Sequence, residues 1–151
     1  MDYKALKQLI DSHPEWSALS DAEVAEACNT ASVTRIMDSY FIRMRTLFAD
    51  LGPSMAMEIK LRLQAYVNTG ASEAAPVEEV LSWITSTGPG TGLDICHVTT
   101  RGMIDALVAG TVLTAEQGAA LKALGEETVS PATVAGLGTV KVGYVTRARA
   151  L

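Results

Sequence analysis

The sequence predicts an all-α fold, a compact bundle of several short helices around an αα-hairpin, with room for one short extended segment near the C-terminus. Three observations lead there. Apolar residues recur at three- and four-residue spacing along much of the chain. Capping boxes, in which a Ser or Thr stands three residues before a Glu or Gln, open two of these stretches. The apolar content is dominated by Ala, Leu and Val, with only 5% aromatic residues, and Ala and Leu are strong helix formers.

Asp2 can cap a first helix that carries Leu6, Leu9 and Ile10 and stops at His13-Pro14, because a residue before proline avoids the helical region. Ser20-Asp21-Ala22-Glu23 is a capping box, flanked by Leu19 and Val24 at hydrophobic-staple positions, and its helix ends near Asn29. Ile36, Met37, Tyr40, Phe41, Met44, Leu47, Phe48 and Leu51 predict one long amphipathic helix over about 36–51, stopped by Gly52-Pro53. Pro53 and Ser54 then open a helix with Met55, Ile59, Leu63, Tyr66 and Val67, completing the hairpin. Pro76 suits a first helical turn, ahead of Val77, Val80, Leu81 and Ile84.

The chain reads as a single helical domain over 1–151, with an internal boundary at 86–92 marked by Gly88-Pro89-Gly90. Beyond it, Thr99 or Thr100 can cap a helix with Met103, Ile104, Leu107 and Val108. Thr114-Ala115-Glu116-Gln117 is a second capping box, closed by Gly125. Ser130-Pro131 starts a short helix, with Val129 and Val134 as its staple, and Gly136 and Gly138 end it. Thr139–Val142 alternates polar and β-branched residues, the candidate extended segment, and a last turn or two of helix follows.

Charge and composition exclude several function classes. A net charge of −5 argues against a general nucleic-acid or anionic-membrane binder. Met1-Asp2-Tyr3-Lys4 does not resemble a secretory signal, and no apolar run approaches the ~20 residues that span a bilayer. Cys28 and Cys96 are therefore expected as free thiols of a reducing compartment. The layout of charge says more than its sum. Residues 1–34 carry −4, residues 35–62 carry +2, residues 63–127 carry −6 and residues 128–151 carry +3. An acidic body with a basic end suits electrostatic contact with an acidic partner or with another copy of the chain.

No catalytic, cofactor or metal site is expected. Cys96-His97, near Asp94, is the closest approach to a nucleophilic cluster, but adjacent residues point in different directions and pair poorly. The two Cys and two His have no paired zinc-ligand spacing. Gly88-Pro89-Gly90-Thr91-Gly92 lacks the lysine of a phosphate-binding loop and follows a helix rather than a strand. Glu78-Glu79 and Glu126-Glu127 read as solvated acids, the first pair complementing a helix dipole. DNA recognition by Ser130–Arg149 is disfavoured, because Gly136-Leu137-Gly138 fits a recognition helix badly and three cations neutralise few phosphates.

Several stretches, in order, resemble small helical structural and tail-region proteins of tailed bacteriophages and prophages. They are Asp2-Tyr3-Lys4-Ala5-Leu6-Lys7, Leu19–Ala25 with Asn29, Met103–Leu107, Leu113–Glu116, Ala120–Leu124, Leu137–Gly143 and Ala148-Arg149. The resemblance implies a non-enzymatic virion component, present in several copies in a symmetric assembly with other virion proteins. It implies no small-molecule substrate, cofactor or membrane. A phage or bacterial regulatory adaptor that binds DNA or a host protein is the alternative. For the virion reading, Lys141, Tyr144, Arg147, Arg149 and Leu151 are the candidate protein interface, since Tyr and Arg are favoured in interface cores and this end is too small to bury everything in its own core.

Overall fold

The computed structural model describes residues 1–151. It is mostly helical. In chain order the elements are α1 (Tyr3–Asp11), α2 (Asp21–Asn29), β1 (Val33–Ile36), β2 (Phe41–Ile42), α3 (Met44–Leu51), α4 (Pro53–Asn68), α5 (Ala75–Thr85), β3 (Leu93–Asp94), α6 (Val98–Ala109), α7 (Ala115–Ala123), β4 (Glu126–Val129), α8 (Pro131–Val134) and α9 (Val142–Arg149). Short 3-10 turns at Pro14–Ala18 and Ser72–Ala74 precede α2 and α5. β1 pairs with β4, and β2 pairs antiparallel with β3 through Phe41–Asp94 and Ile42–Leu93.

The chain divides into two compact units, Met1–Arg35 with Glu127–Leu151, and Ile36–Glu126. The Gly88–Gly92 stretch lies inside the second unit. There Arg43 Nη1 donates to the Gly88 carbonyl at 3.2 Å, and Leu93 pairs with Ile42. Its glycines serve a tight turn, with φ of +73° at Gly90 and +138° at Gly92, rather than a break between units.

The first unit joins the two ends of the sequence. The Asp2 carboxylate accepts the Lys4 and Ala5 N–H groups at 3.0 Å, and α1 starts there. Ser20 and Glu23 form the reciprocal capping box that starts α2. Leu6, Val24, Cys28, Val145 and Ala148 are fully buried in one core, each large aliphatic side chain stabilising it by ~1.5–3 kcal/mol. α9 packs on both α1 and α2. Asn29 clips the segment before α9. Its Nδ2 donates to the carbonyls of Val140 at 2.7 Å and Ala25 at 2.8 Å, and its Oδ1 accepts the Val140 N–H at 2.8 Å.

The second unit contains the αα-hairpin, with α3 packed on α4 through Gly52 at φ +86°. Its core joins Ile42, Leu47, Ile59, Leu63, Ile95 and Leu121. The hairpin's first arm is shorter than its apolar spacing suggests. Residues 36–43 are not helical: Ile36 ends β1, a bend falls at Asp38, Phe41–Ile42 form β2, and α3 begins only at Met44. Val33, Thr34, Ile36 and Ile42 are β-branched, and Asp38-Ser39 interrupts them, so a strand competes with a helix over this short apolar run.

Four further readings change. α6 starts two or three residues earlier than Thr99 or Thr100 implies, and His97 caps it, Nδ1 accepting the Thr99 N–H at 3.2 Å. Thr139–Val142 finds no partner strand. Asn29 satisfies Val140, and Val142 already opens α9. Ser130 does cap α8, but Val134 is half exposed and does not close a staple over Val129. β4 occupies Glu126–Val129, which the sequence left between helices.

Two helical glycines separate packing from propensity. A Cβ on Gly118 in α7 would collide with Val108 Cγ2 of α6, whereas one on Gly102 in α6 meets nothing within 4 Å. Gly102→Ala should therefore stabilise by ~0.5–1 kcal/mol. Gly118→Ala should destabilise on the order of 1 kcal/mol, overpacking outweighing propensity. Urea unfolding midpoints of the two variants should move in opposite directions.

Candidate functional site

The basic C-terminal end is divided by α9 into two sides with different partners. Arg149 faces α2 and the turn before it. Its Nη1 donates to Asp21 Oδ1 at 2.7 Å, and its Nη2 donates to the carbonyls of Trp16 and Leu19 at 2.9 and 3.0 Å. Thr146, one turn earlier, donates its hydroxyl to Asp21 Oδ2 at 2.6 Å. The Thr146 hydroxyl first, and the Arg149 guanidinium with it, hold the Asp21 carboxyl below its ordinary range. Arg149 thus spends its donors within its own unit.

Tyr144 and Arg147 lie one turn apart on the α1 side. Arg147 Nη1 donates to the Tyr3 hydroxyl at 3.2 Å, and its guanidinium carbon sits 5.9 Å from the Tyr3 ring centre. Tyr144 meets Tyr3 edge-on, with ring centres 6.1 Å apart. Arg147 is exposed and Tyr144 half-buried. Lys141, in extended conformation, is the N-cap residue of α9, and both it and Leu151 are exposed. The structure therefore assembles Tyr3, Tyr144 and Arg147 into one ordered cluster. Tyr3 was not singled out in the sequence, since a tyrosine one residue into α1 gives no local signal of a partner 144 positions away.

Other candidate chemistry is taken up by the fold. The Cys96 thiol is buried and donates to the Gly125 carbonyl at 3.6 Å, and burial, then the Asp94 charge, pushes its pKa up. Asp94 Oδ1 accepts the Tyr40 and Cys96 N–H groups at 3.1 and 3.0 Å, and His97 caps α6, so the three residues form no dyad or triad. Glu126 and Glu127 are ion-paired rather than merely solvated. Glu126 takes Arg101 at 2.6 Å in the second unit, and Glu127 takes Arg35 at 2.8 Å in the first. No group of three His, Cys, Asp or Glu side chains comes together as a metal site. No helix is long and apolar enough to cross a membrane.

Each unit carries an open groove. In the second, exposed Phe41 and Trp83 flank a mainly apolar one of about 610 Å³. In the first, His13, Glu15, Trp16, Glu23 and Glu26 line another of about 430 Å³. The His13 ring stacks on Trp16, centres 4.1 Å apart. Comparison of the chain with protein-family models, with curated proteins and with solved structures finds no match.

Asp21 makes the fold of the first unit pH-dependent. Its carboxyl pKa is lower folded than unfolded, so its contribution is full above the unfolded value and is lost as pH falls through the folded one. Asp21→Asn should lower the urea unfolding midpoint at pH ~7, and its gap from the parent should close as the pH falls through the lowered Asp21 pKa. Arg149→Ala should cost about 1–3 kcal/mol, since the Trp16 and Leu19 carbonyls lose their donor. Arg147→Ala should leave the midpoint nearly unchanged, its partner Tyr3 being satisfied by water.

Proposed function

We propose that this protein is a non-enzymatic structural or assembly component of a tailed-phage virion, associated with the tail. It would be made in the bacterial host cytoplasm and incorporated in several copies, acting by docking against neighbouring virion proteins. The resemblance of its ordered stretches to small phage tail-region proteins supports the virion setting. The observation that carries the docking role is the two-sided use of α9. Arg149 and Thr146 lock the helix to Asp21, and Tyr144 and Arg147 are held in place by Tyr3 on the other side. An Arg and two Tyr ordered before contact lose little side-chain entropy on docking, and these residue types dominate interface energetics.

The test is mass spectrometry of gradient-purified particles from a lysate that expresses the chain with its phage. A fixed number of copies per particle, retained through high-salt washing, is the expected result. Absence from particles together with salt-dependent retention on DNA would overturn the proposal in favour of a regulatory adaptor.

A further inference from the structure

We propose that copies of this chain associate head to tail, the Tyr144–Arg147 side of α9 on one copy seating in the acidic groove of α2 on the next. The idea rests on the docking reading and names the partner as a second copy. Charge complementarity carries it. The groove in the first unit presents Glu15, Glu23 and Glu26 around the His13–Trp16 stack, and no Lys or Arg lines it. Glu15 is held ionised by its own backbone N–H and by His13, and Glu23 by the Ser20 hydroxyl and N–H. Glu26 is exposed and makes no ion pair.

The other face is its opposite. Arg147 and Lys141 are exposed cations without a carboxylate partner, and Arg147 lies beside the Tyr3 ring, which meets Tyr144 edge-on. A guanidinium set against aromatic rings suits a carboxylate-rimmed groove that has an aromatic wall of its own. The two faces belong to the same unit and share no residue. Val24, Ala25 and Cys28 turn one side of α2 into the core that contains α9, and Glu23, Glu26 and Thr30, at helical spacing, form the outer side. An interface between two different faces is heterologous. Each added copy leaves one face of each kind free, so the contact builds a ring or an open chain rather than a closed dimer.

Sedimentation velocity of the purified full chain at about 50 mM and about 500 mM NaCl tests this, because exposed charge pairs weaken with salt. Species larger than a dimer at low salt, shifting toward monomer at high salt, are expected. Arg147→Glu and Glu26→Lys should each weaken self-association at least about tenfold, with unchanged far-UV circular dichroism. Mixed together, they should associate again, since each retains one intact face and the two reversed charges are once more opposite. A monomer at low salt overturns the inference, as does a mixture that does not associate. If a variant misfolds, the parent's salt dependence still decides. A chain found in virions but monomeric in solution would fail this inference and leave the docking reading standing, whereas self-association without a place in particles would do the reverse.

Discussion

The first unit depends on closing the two ends of the sequence on each other, and α9 is the element that closes them. α1 and α2 come from the first 29 residues, α9 from the last ten, and no local hydrogen bond holds them together. The closure is made by buried Leu6, Val24, Val145 and Ala148, and is oriented by a small set of polar ties. Asn29 fixes the chain at Val140, and Arg149 reaches two backbone carbonyls and Asp21. The apolar contacts supply most of the driving force, at ~25 cal/mol per Å². The polar ties set the rotation of α9, because each donor is matched to an acceptor in one direction only. That rotation decides which residues remain for docking.

Arg147 and Arg149 show why a net charge is a poor description of a surface. Both are basic and two positions apart, so a helix turns them about 200° from each other. Arg149 is directed at α2 and becomes part of the fold, and Arg147 is directed at Tyr3 and stays exposed. The acidic excess of residues 1–34 divides in the same way. Asp21 is committed to α9, whereas Glu15, Glu23 and Glu26 gather at one groove. A chain of net −5 can in this way carry a basic face and an acidic groove on one unit.

What was legible in the sequence was local. The capping boxes at Ser20 and Thr114, the cap at Asp2, and the prolines at 53, 76 and 131 act within four residues, and all start helices where they stand. The apolar spacing over 36–43 misleads because eight residues are too few to distinguish a 3.6-residue period from two short strand ends joined by a bend. Ile42 is fully buried in the second unit's core and Tyr40 packs against it, while β2 pairs with β3 at separations of 51 and 53 residues. The candidate site was half legible. Residue type and position point to Tyr144 and Arg147, but the roles of Tyr3 and Asp21 depend on contacts between the two ends of the chain, and the acidic groove on how α2 packs against the turn before it. The separate commitment of Arg149 could not be read without knowing which side of α9 meets α2.

Native-state hydrogen exchange on a chain ending at Lys141, compared with the full chain, tests most directly whether α9 closes the first unit. The expected result is that the amides of α1 and α2 lose their protection, while those of α4 and α5 in the second unit keep theirs. Protection of α1 and α2 that survives without α9 would contradict the role assigned to the chain's closing helix.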